Sequence, residues 1–258
     1  MAWALITGAS EGLGREFARL AAEDRHDLIL TARRVDLLEV VAAEMRAEHG
    51  VAVEVIPADL AQQGEAARLW QVASAGREIK VLVNNAGLGS AGAFADPEDW
   101  AREYASVMVN VVSLTVLMKE AVTAMAAGSG GRVLNVASTA AFMPGPGMAV
   151  YHATKSYVLS LSEAVAHELR GSGVTVTALC PGATRTGFFR AADVEGGTML
   201  QRLPMPPAEV VALKGWAAMK EGRRVAVTGV QNKLFAFLPR IAPKALVLRI
   251  AAQFLRRR

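Results

Sequence analysis

The sequence predicts an α/β fold in which a doubly wound parallel sheet of about seven strands carries helices on both faces. Short apolar runs alternate along the chain with longer amphipathic stretches, which is the pattern of repeated strand–helix–strand units. The 258 residues, 52% of them hydrophobic, are enough to bury such a sheet in one continuous core. Because no linker rich in Pro, Gly or Ser interrupts this rhythm, we predict a single domain over residues 1–258.

The elements follow from hydrophobic periodicity, taken in chain order. Strands are predicted near 2–6, 27–31, 51–56, 80–83, 132–137, 174–179 and 224–228. Helices are predicted near 13–24, 35–49, 61–76, 98–127, 150–171 and 207–220, and right-handed crossovers would place them on both faces. A long connection with Gly and Pro residues follows the sixth strand, at the sheet edge where such folds bind ligands, so residues 184–222 are predicted to form a substrate lid.

Several classes of protein are disfavoured by composition. The single cysteine, Cys180, lies in an apolar run and is predicted to be buried packing, and the four histidines show no metal-ligand spacing. The chain starts directly with an apolar strand and lacks the pattern of a secretory signal, so we expect a cytoplasmic protein. No run of roughly 18 or more apolar residues appears, so no membrane-spanning segment is expected.

The positive charge is concentrated at the C-terminal end. Residues 231–258 hold seven basic residues and no acidic one, whereas the rest of the chain holds 21 basic and 24 acidic residues. Within 240–258, Leu246, Ile250 and Phe254 recur at four-residue intervals, which indicates an amphipathic helix. Such a helix would pack on the body or on a sister subunit, dock on an anionic membrane surface, or bind an acidic partner. We predict a homo-oligomer, with peripheral membrane contact as the alternative; nucleic acid is not expected, because no aromatic stacking pattern accompanies the charge.

A glycine-rich turn joins the first strand to the first helix. It reads Thr-Gly-Ala-Ser-Glu-Gly-Leu-Gly over residues 7–14. Gly8 would take a tight turn, Gly12 would let the backbone approach a pyrophosphate, and Gly14 would allow close helix packing. The N-terminus of the helix would offer free N–H groups and a partial positive charge. This turn is therefore a candidate dinucleotide-binding loop.

A second group of residues has the chemistry for proton transfer. Tyr151 and Lys155 are four residues apart on a predicted helix, so their side chains lie on one face about a turn apart. An ammonium group next to a tyrosine favours the tyrosinate and is expected to lower its pKa from about 10. Ser138 ends the fifth strand, where its hydroxyl would polarise a substrate oxygen. Carbonyl reduction needs such an acid, because a proton must reach oxygen as hydride reaches carbon.

Taken together, these motifs resemble the short-chain dehydrogenase/reductase family over nearly the whole chain. Besides the glycine turn and the Ser138, Tyr151 and Lys155 set, the chain has the family's Asn-Asn-Ala-Gly element at 84–87 and its Pro-Gly-x-x-x-Thr element at 181–186. The resemblance implies a Rossmann fold, contact of Asp59 and Leu60 with adenine, and Asn110 as the anchor of a relay water. It also implies that Lys155 holds the nicotinamide ribose, that Thr186 holds the carboxamide, and that the pro-S hydride is transferred.

Cofactor choice depends on the end of the second strand. Ala32 stands where NAD enzymes usually have an acidic residue, and Arg33 and Arg34 follow it. Since guanidinium groups bind a 2′-phosphate bidentately, we predict NADP(H), with NAD(H) as an alternative; Glu11 argues against this, because its carboxylate would repel the phosphate. The full predicted cofactor-binding set is Gly8, Ser10, Glu11, Gly12, Leu13, Gly14, Arg33, Arg34, Asp59, Leu60, Asn85, Ala86, Gly87, Asn110, Tyr151, Lys155, Pro181, Gly182, Thr184 and Thr186.

These motifs predict an NADP(H)-dependent oxidoreductase that interconverts a carbonyl and a secondary alcohol, with Asn110, Ser138, Tyr151 and Lys155 as the catalytic residues. The segments 140–148 and 184–222 are expected to line the substrate pocket. Their large apolar residues, which favour an apolar substrate, are Phe142, Met143, Met148, Phe188, Phe189 and Met199. The alternative is a cofactor-binding sensor or scaffold without turnover, which would be favoured if the serine, the tyrosine or the lysine were missing.

Overall fold

The structure, a computed structural model, describes residues 2–96, 99–188 and 205–255. It contains a seven-stranded parallel sheet in the order β3-β2-β1-β4-β5-β6-β7. The strands are β1 (Trp3–Thr7), β2 (Asp27–Thr31), β3 (Val53–Val55), β4 (Ile79–Asn84), β5 (Gly131–Val136), β6 (Val174–Cys180) and β7 (Val225–Val227). The predicted fold class is confirmed. Strand order reverses between β1 and β4, which creates the crevice where such sheets bind ligands.

Helices cover both faces of the sheet, as predicted. They are α1 (Gly12–Glu23), α2 (Val35–His49), α3 (Glu65–Ser74), α4 (Trp100–Val107), α5 (Leu114–Ala127), α6 (Ala149–Glu168), α7 (Ala208–Lys220), α8 (Val230–Phe237) and α9 (Lys244–Leu255). Alternate side chains of β1 enter different cores: Leu5 packs on one face of the sheet, and Ala4 and Ile6 pack on the other. Burial on both faces explains why the strands appear in the sequence as continuous apolar runs.

The long helix predicted near 98–127 is interrupted. A π-helical turn over Met108–Ser113 separates α4 from α5 and widens the backbone at Asn110. By length and composition alone, the run Trp100–Ala127 is the one helix of the described residues that could cross a membrane. In this fold it packs on the sheet instead, with Leu117 and Met118 almost fully buried.

The predicted lid at 184–222 needs a correction at its C-terminal part. Arg185 pairs with Pro207 in a short parallel bridge, and residues 189–204, which include Phe189 and Met199, lie outside the described residues. Helix α7 belongs to the helical layer rather than to a lid, because its Trp216 Nε1 donates to Asp24 Oδ2 at 2.8 Å at the end of α1. The apolar face of α7 is what places it there, since burying Trp216 and its neighbours requires a partner surface.

The C-terminal region contains one helix more than predicted. The amphipathic helix expected in 240–258 is present as α9, and α8 precedes it, joined by a 3₁₀ turn at Leu238–Arg240. The most buried residues of α9 are Val247 and Ala251 rather than Leu246 and Ile250, so its buried face is rotated by about one residue from the predicted one. The last three arginines, at 256–258, lie outside the described residues.

Candidate active site

The glycine turn adopts the conformation that its sequence predicts. Gly8 and Gly12 have φ values of 65° and 57°, in the left-handed region that favours glycine. A Cβ atom on Gly14 would lie 2.0 Å from the Gly8 carbonyl oxygen, so only glycine permits this contact between helix and loop. Glu11 precedes α1 without capping it, which leaves the first-turn N–H groups without a side-chain acceptor. The turn therefore fits a bound diphosphate.

A hydrogen-bond network joins this turn to the end of β4. The side-chain amide of Asn85 donates to the Thr7 and Gly8 carbonyl oxygens at 2.9 and 3.1 Å. The backbone N–H groups of Asn85 and Ala86 donate to the Thr7 hydroxyl at 3.0 and 2.9 Å. Thr7 therefore connects the glycine turn after β1 to the segment after β4. The sequence motif does not reveal this role, because it depends on the pairing of β1 with β4.

The two arginines after β2 have different surroundings. The Arg34 guanidinium forms an ion pair with Glu11 at 2.7 Å and donates to the Ser10 hydroxyl at 3.3 Å. Arg33 is exposed, and no acidic side chain of the described residues pairs with it. The Glu11 carboxylate is therefore balanced by Arg34, while the Arg33 guanidinium keeps its positive charge for a ligand.

The proposed catalytic side chains converge at the ends of β5 and α6. Lys155 donates from Nζ to the Val136 carbonyl oxygen at 2.8 Å, and this Nζ lies 5.9 Å from the centre of the Tyr151 ring. Ser138, two residues after β5, hydrogen-bonds with the Tyr151 side chain and accepts the Ala140 N–H at 3.1 Å. The interval of four residues thus places Tyr151 and Lys155 side by side, as predicted.

Burial is the largest influence on the pKa values of Tyr151 and Lys155. It raises the pKa of Tyr151 to about 12, with the Ser138 hydrogen bond acting in the opposite direction, and it lowers the pKa of Lys155 to about 8. The expected lowering of the Tyr151 pKa is therefore wrong for this structure, because desolvation of the buried phenolate is the largest effect on it. Near neutral pH the phenol keeps its proton and the lysine is mainly charged.

Asn110 lies behind the lysine rather than at the surface of the cavity. It is fully buried in the π-helical turn, where its Oδ1 accepts the Leu88 N–H at 2.9 Å and its Nδ2 donates to the Thr154 hydroxyl at 3.0 Å. A Cβ atom on Gly87 would lie 3.3 Å from both Asn110 Oδ1 and Lys155 Nζ. Asn110 therefore supports the backbone around Leu88 and the helix that carries Lys155. It does not line the cavity, so the structure does not support the predicted contact with the cofactor.

Most of the predicted site residues share one cavity of about 860 Å³. Gly14, like Asn110, is absent from its lining, because Gly14 packs against Gly8. The predicted residues that line it are Gly8, Ser10, Glu11, Gly12, Leu13, Arg33, Arg34, Asp59, Leu60, Asn85, Ala86, Gly87, Ser138, Tyr151, Lys155, Pro181, Gly182, Thr184 and Thr186. The volume is in the range typical of small-molecule sites.

The end of the cavity next to Tyr151 is apolar. Met148 and Tyr151 form a cluster with Phe188 and Leu255, and the Tyr151 and Phe188 rings are 5.3 Å apart. Met143 also lines the cavity, whereas Phe142 does not: it packs into the core under the Arg240 guanidinium, which corrects its predicted role.

The far wall of this apolar end comes from the C-terminal helices. Phe235 of α8 and Phe254 of α9 meet edge to face at 6.0 Å, and both line the cavity. Leu246, Ile250 and Leu255 line it as well. The amphipathic stripe of α9 is predicted from the sequence, but nothing in the sequence indicates that Leu246, Ile250 and Phe254 line the same cavity as Tyr151.

His152 packs against the segment after β5 and also lines the cavity. Its Nδ1 lies 2.8 Å from the Met143 carbonyl oxygen, and burial lowers its pKa. Ser156, one turn further along α6, donates to the Ala141 carbonyl oxygen at 2.9 Å. The two side chains fix the segment after β5 to α6, which positions Ser138.

Comparisons with known proteins identify the family of this chain. The short chain dehydrogenase family model matches residues 2–195. A 7beta-hydroxysteroid dehydrogenase from Collinsella aerofaciens is 32% identical over 235 residues, which cover 90% of this chain and 87% of that protein.

Two solved structures have the same fold. A short-chain dehydrogenase from Sphingobium yanoikuyae in complex with NADPH has a TM-score of 0.81 at 31% identity, covering 89% of both chains. A bulky-bulky ketone specific alcohol dehydrogenase from Comamonas testosteroni has a TM-score of 0.78 at 30% identity, covering 91% of this chain and 90% of that one. The chain therefore belongs to the short-chain dehydrogenase family and is an oxidoreductase of carbonyl and hydroxyl groups.

Proposed function

We propose that this protein is an NADP(H)-dependent oxidoreductase that interconverts a bulky apolar ketone and its secondary alcohol, with Tyr151 as the acid and base. The observation that carries this proposal is the continuity of the cavity. One space runs from the glycine turn, past Ser138, Tyr151 and Lys155, to an apolar wall formed by α8 and α9. A dinucleotide and an apolar substrate would meet at the tyrosine in such a space.

The side chains have separate tasks in this reaction. A bound nicotinamide cofactor would supply or accept the hydride at the substrate carbon. Ser138 would donate a hydrogen bond to the substrate oxygen, and Tyr151 would transfer its phenolic proton to the same oxygen during reduction. Lys155, mainly charged near neutral pH, would stabilise the phenolate that is left. Thr186 and the neighbouring backbone would orient the nicotinamide.

The lining residues support a bulky apolar substrate. Met148, Phe188 and Leu255 surround Tyr151, and the α8–α9 wall adds Phe235 and Phe254. Burial of a large apolar surface favours a large apolar ligand by about 25 cal/mol for each Å² removed from water. Two of the similar proteins are named for such substrates, a hydroxysteroid and a bulky-bulky ketone.

A ketone series tests this proposal. We expect NADPH oxidation with polycyclic or diaryl ketones and kcat/KM at least about tenfold lower with acetone-sized ketones, because the small ones leave the apolar wall unused. Phe254→Ser is expected to raise KM for the bulky ketones only. Leu248→Ser is the matched control, since Leu248 is in the same helix but does not line the cavity. Equal kcat/KM across the series would contradict the proposal.

The NADP(H) preference is argued from Arg33. Its guanidinium lines the cavity and lacks an acidic partner among the described residues, while Arg34 is held by Glu11. A 2′-phosphate would therefore bind Arg33 without first breaking an ion pair. NAD(H), which lacks this phosphate, would bind without that contact. The NADPH complex of the Sphingobium relative is in line with this choice.

Arg33→Ala is expected to weaken NADPH binding by about 10–100-fold and to leave NADH binding unchanged, because a charge-assisted hydrogen bond contributes about 1.5–3 kcal/mol. Glu11→Gln is expected to strengthen NADPH binding by releasing Arg34. Titration of the reduced cofactor's fluorescence in the absence of substrate measures both. Arg15→Ala serves as the control, since Arg15 is paired with Glu44 and does not line the cavity. An equal loss for the two cofactors in Arg33→Ala would contradict the assignment.

We also propose that the protein is cytoplasmic and forms a homo-oligomer. Exposed aromatic side chains on α4, Trp100 and Tyr104, offer an apolar surface for subunit contact.

A further inference from the structure

The C-terminal region carries an exposed apolar stripe. Val230, Leu234, Phe237 and Ile241 recur at intervals of four, three and four residues, and their side chains are 84%, 58%, 54% and 68% exposed. This spacing places them on one side of α8 and the turn that follows. Further exposed apolar side chains follow shortly after the stripe in the sequence: Leu238, Leu246, Leu248 and Ile250. A surface of this kind in a folded protein marks a contact site.

Basic residues accompany the stripe. Lys233, Arg240, Lys244 and Arg249 are all exposed, and the chain from 231 to 258 has no acidic residue. Lys233 lies one position before Leu234 and so borders the stripe on α8. Apolar side chains next to basic side chains are the chemistry that binds the surface of an anionic bilayer, where the apolar groups enter the interface and the basic groups reach the phosphates.

The stripe is continuous with the edge of the catalytic cavity. Val230, Leu238, Leu246 and Ile250 line that cavity and are also substantially exposed, so they stand at its mouth. Contact of this surface with a second copy through a two-fold axis would bring the same basic residues together and would cover the mouth. Both consequences disfavour a second copy as the occupant.

We propose that α8, the following turn and α9 form a docking surface for anionic lipid bilayers. The stripe at Val230, Leu234, Phe237 and Ile241 would enter the interfacial region, and Lys233, Lys244 and Arg249 would contact lipid phosphates. Docking would hold the mouth of the cavity at the bilayer, from which an apolar substrate would enter. This last consequence rests on the proposed function; the docking itself does not.

Vesicle flotation without substrate or cofactor tests the docking. Vesicles of phosphatidylcholine alone are compared with vesicles that also contain phosphatidylglycerol. We expect the protein to float with the anionic vesicles at low salt, to bind less as salt increases, and to bind the neutral vesicles weakly. Each basic residue removed is expected to weaken binding about fivefold.

Two variants and two controls separate the contributions. The apolar variant is Leu234→Ser/Phe237→Ser/Ile241→Ser, and the basic variant is Lys233→Gln/Lys244→Gln/Arg249→Gln; none of these residues lines the cavity. The controls change exposed residues that lie outside α8, the following turn and α9 and that do not line the cavity: Val40→Ser/Leu213→Ser and Lys119→Gln/Arg224→Gln. We expect vesicle binding to fall at least about tenfold in the first two variants and to stay unchanged in the controls.

Three results would overturn the proposal. The first is a wild-type protein that stays unbound with both kinds of vesicle, and the second is equal binding in all four variants. The third is a wild-type protein that does not bind vesicles, together with a particle mass, measured by light scattering, that differs between wild type and the apolar variant. That result would assign the stripe to contact between copies of the chain. Turnover of a water-soluble ketone is expected to be equal in all variants, so loss of docking is distinguishable from loss of catalysis.

Discussion

Tyr151→Phe is expected to lower kcat by about 10²–10⁴-fold while NADPH binding stays within about twofold of wild type. The substitution removes only the phenolic oxygen, so the ring keeps its contact with Phe188 and its place beside Lys155. The proton donor is lost, and the Ser138 hydroxyl next to it is far less acidic than a phenol. Initial rates and cofactor fluorescence measure the two quantities.

The control for this prediction is Tyr157→Phe. Tyr157 lies on the same helix, but its hydroxyl is 2.9 Å from the Thr115 hydroxyl and does not line the cavity. Its loss should leave kcat unchanged. Turnover by Tyr151→Phe at the wild-type rate would contradict the assignment of Tyr151 as the proton donor.

Lys155→Met is expected to lower kcat/KM by about 10²–10³-fold without lowering thermal stability at pH 7. Activity falls because the phenolate of Tyr151 loses the ammonium next to it. Stability is retained because the charged lysine is costly in the folded state: its side chain is 4% exposed, and its pKa is lowered from 10.5 to about 8. Methionine fills a similar space, at the cost of about 1 kcal/mol for the hydrogen bond to the Val136 carbonyl oxygen.

The pH dependence of the free energy of unfolding tests whether the buried Lys155 ammonium destabilises the fold. Between about pH 8 and pH 10.5 the unfolded chain binds a proton at Lys155 that the folded chain has lost, so wild-type stability should gain a rising contribution with pH in this window. Lys155→Met should lack this contribution. Lys119→Met, at an exposed position, is the control. A marked drop in the melting temperature of Lys155→Met at pH 7 would instead assign the lysine a structural role.

The fold and the cofactor end of the site were predictable because their signals are local in sequence. Each signal lies within one turn or one element of the chain: the periodicity of the strands, the glycines at 8, 12 and 14, and the spacing of Tyr151 and Lys155. Once the parallel order of the strands is assumed, their carboxyl ends must meet at one edge. The structure confirms this convergence at the switch between β1 and β4.

The rest depended on contacts between distant segments. Three contacts join residues that the sequence gives no reason to pair. Helix α9 lines the catalytic cavity, Phe142 packs under Arg240 instead of lining that cavity, and Glu11 forms an ion pair with Arg34. The raised pKa of Tyr151 is likewise not predictable from the sequence, because the spacing of Tyr151 and Lys155 indicates a neighbouring charge but not the degree of burial. Burial is set by the whole fold.

The most direct test of the proposed function follows the transferred hydrogen. The wild-type protein is incubated with a bulky ketone and NADPH that carries deuterium at the pro-S position of C4, and the alcohol is analysed by mass spectrometry. We predict one deuterium in the alcohol, bound to the former carbonyl carbon, and almost no alcohol from Tyr151→Phe. A protein that binds NADPH but forms no alcohol, labelled or unlabelled, from any ketone of the series would contradict the account and favour a cofactor-binding sensor without turnover. Unlabelled alcohol would instead show transfer of the pro-R hydrogen.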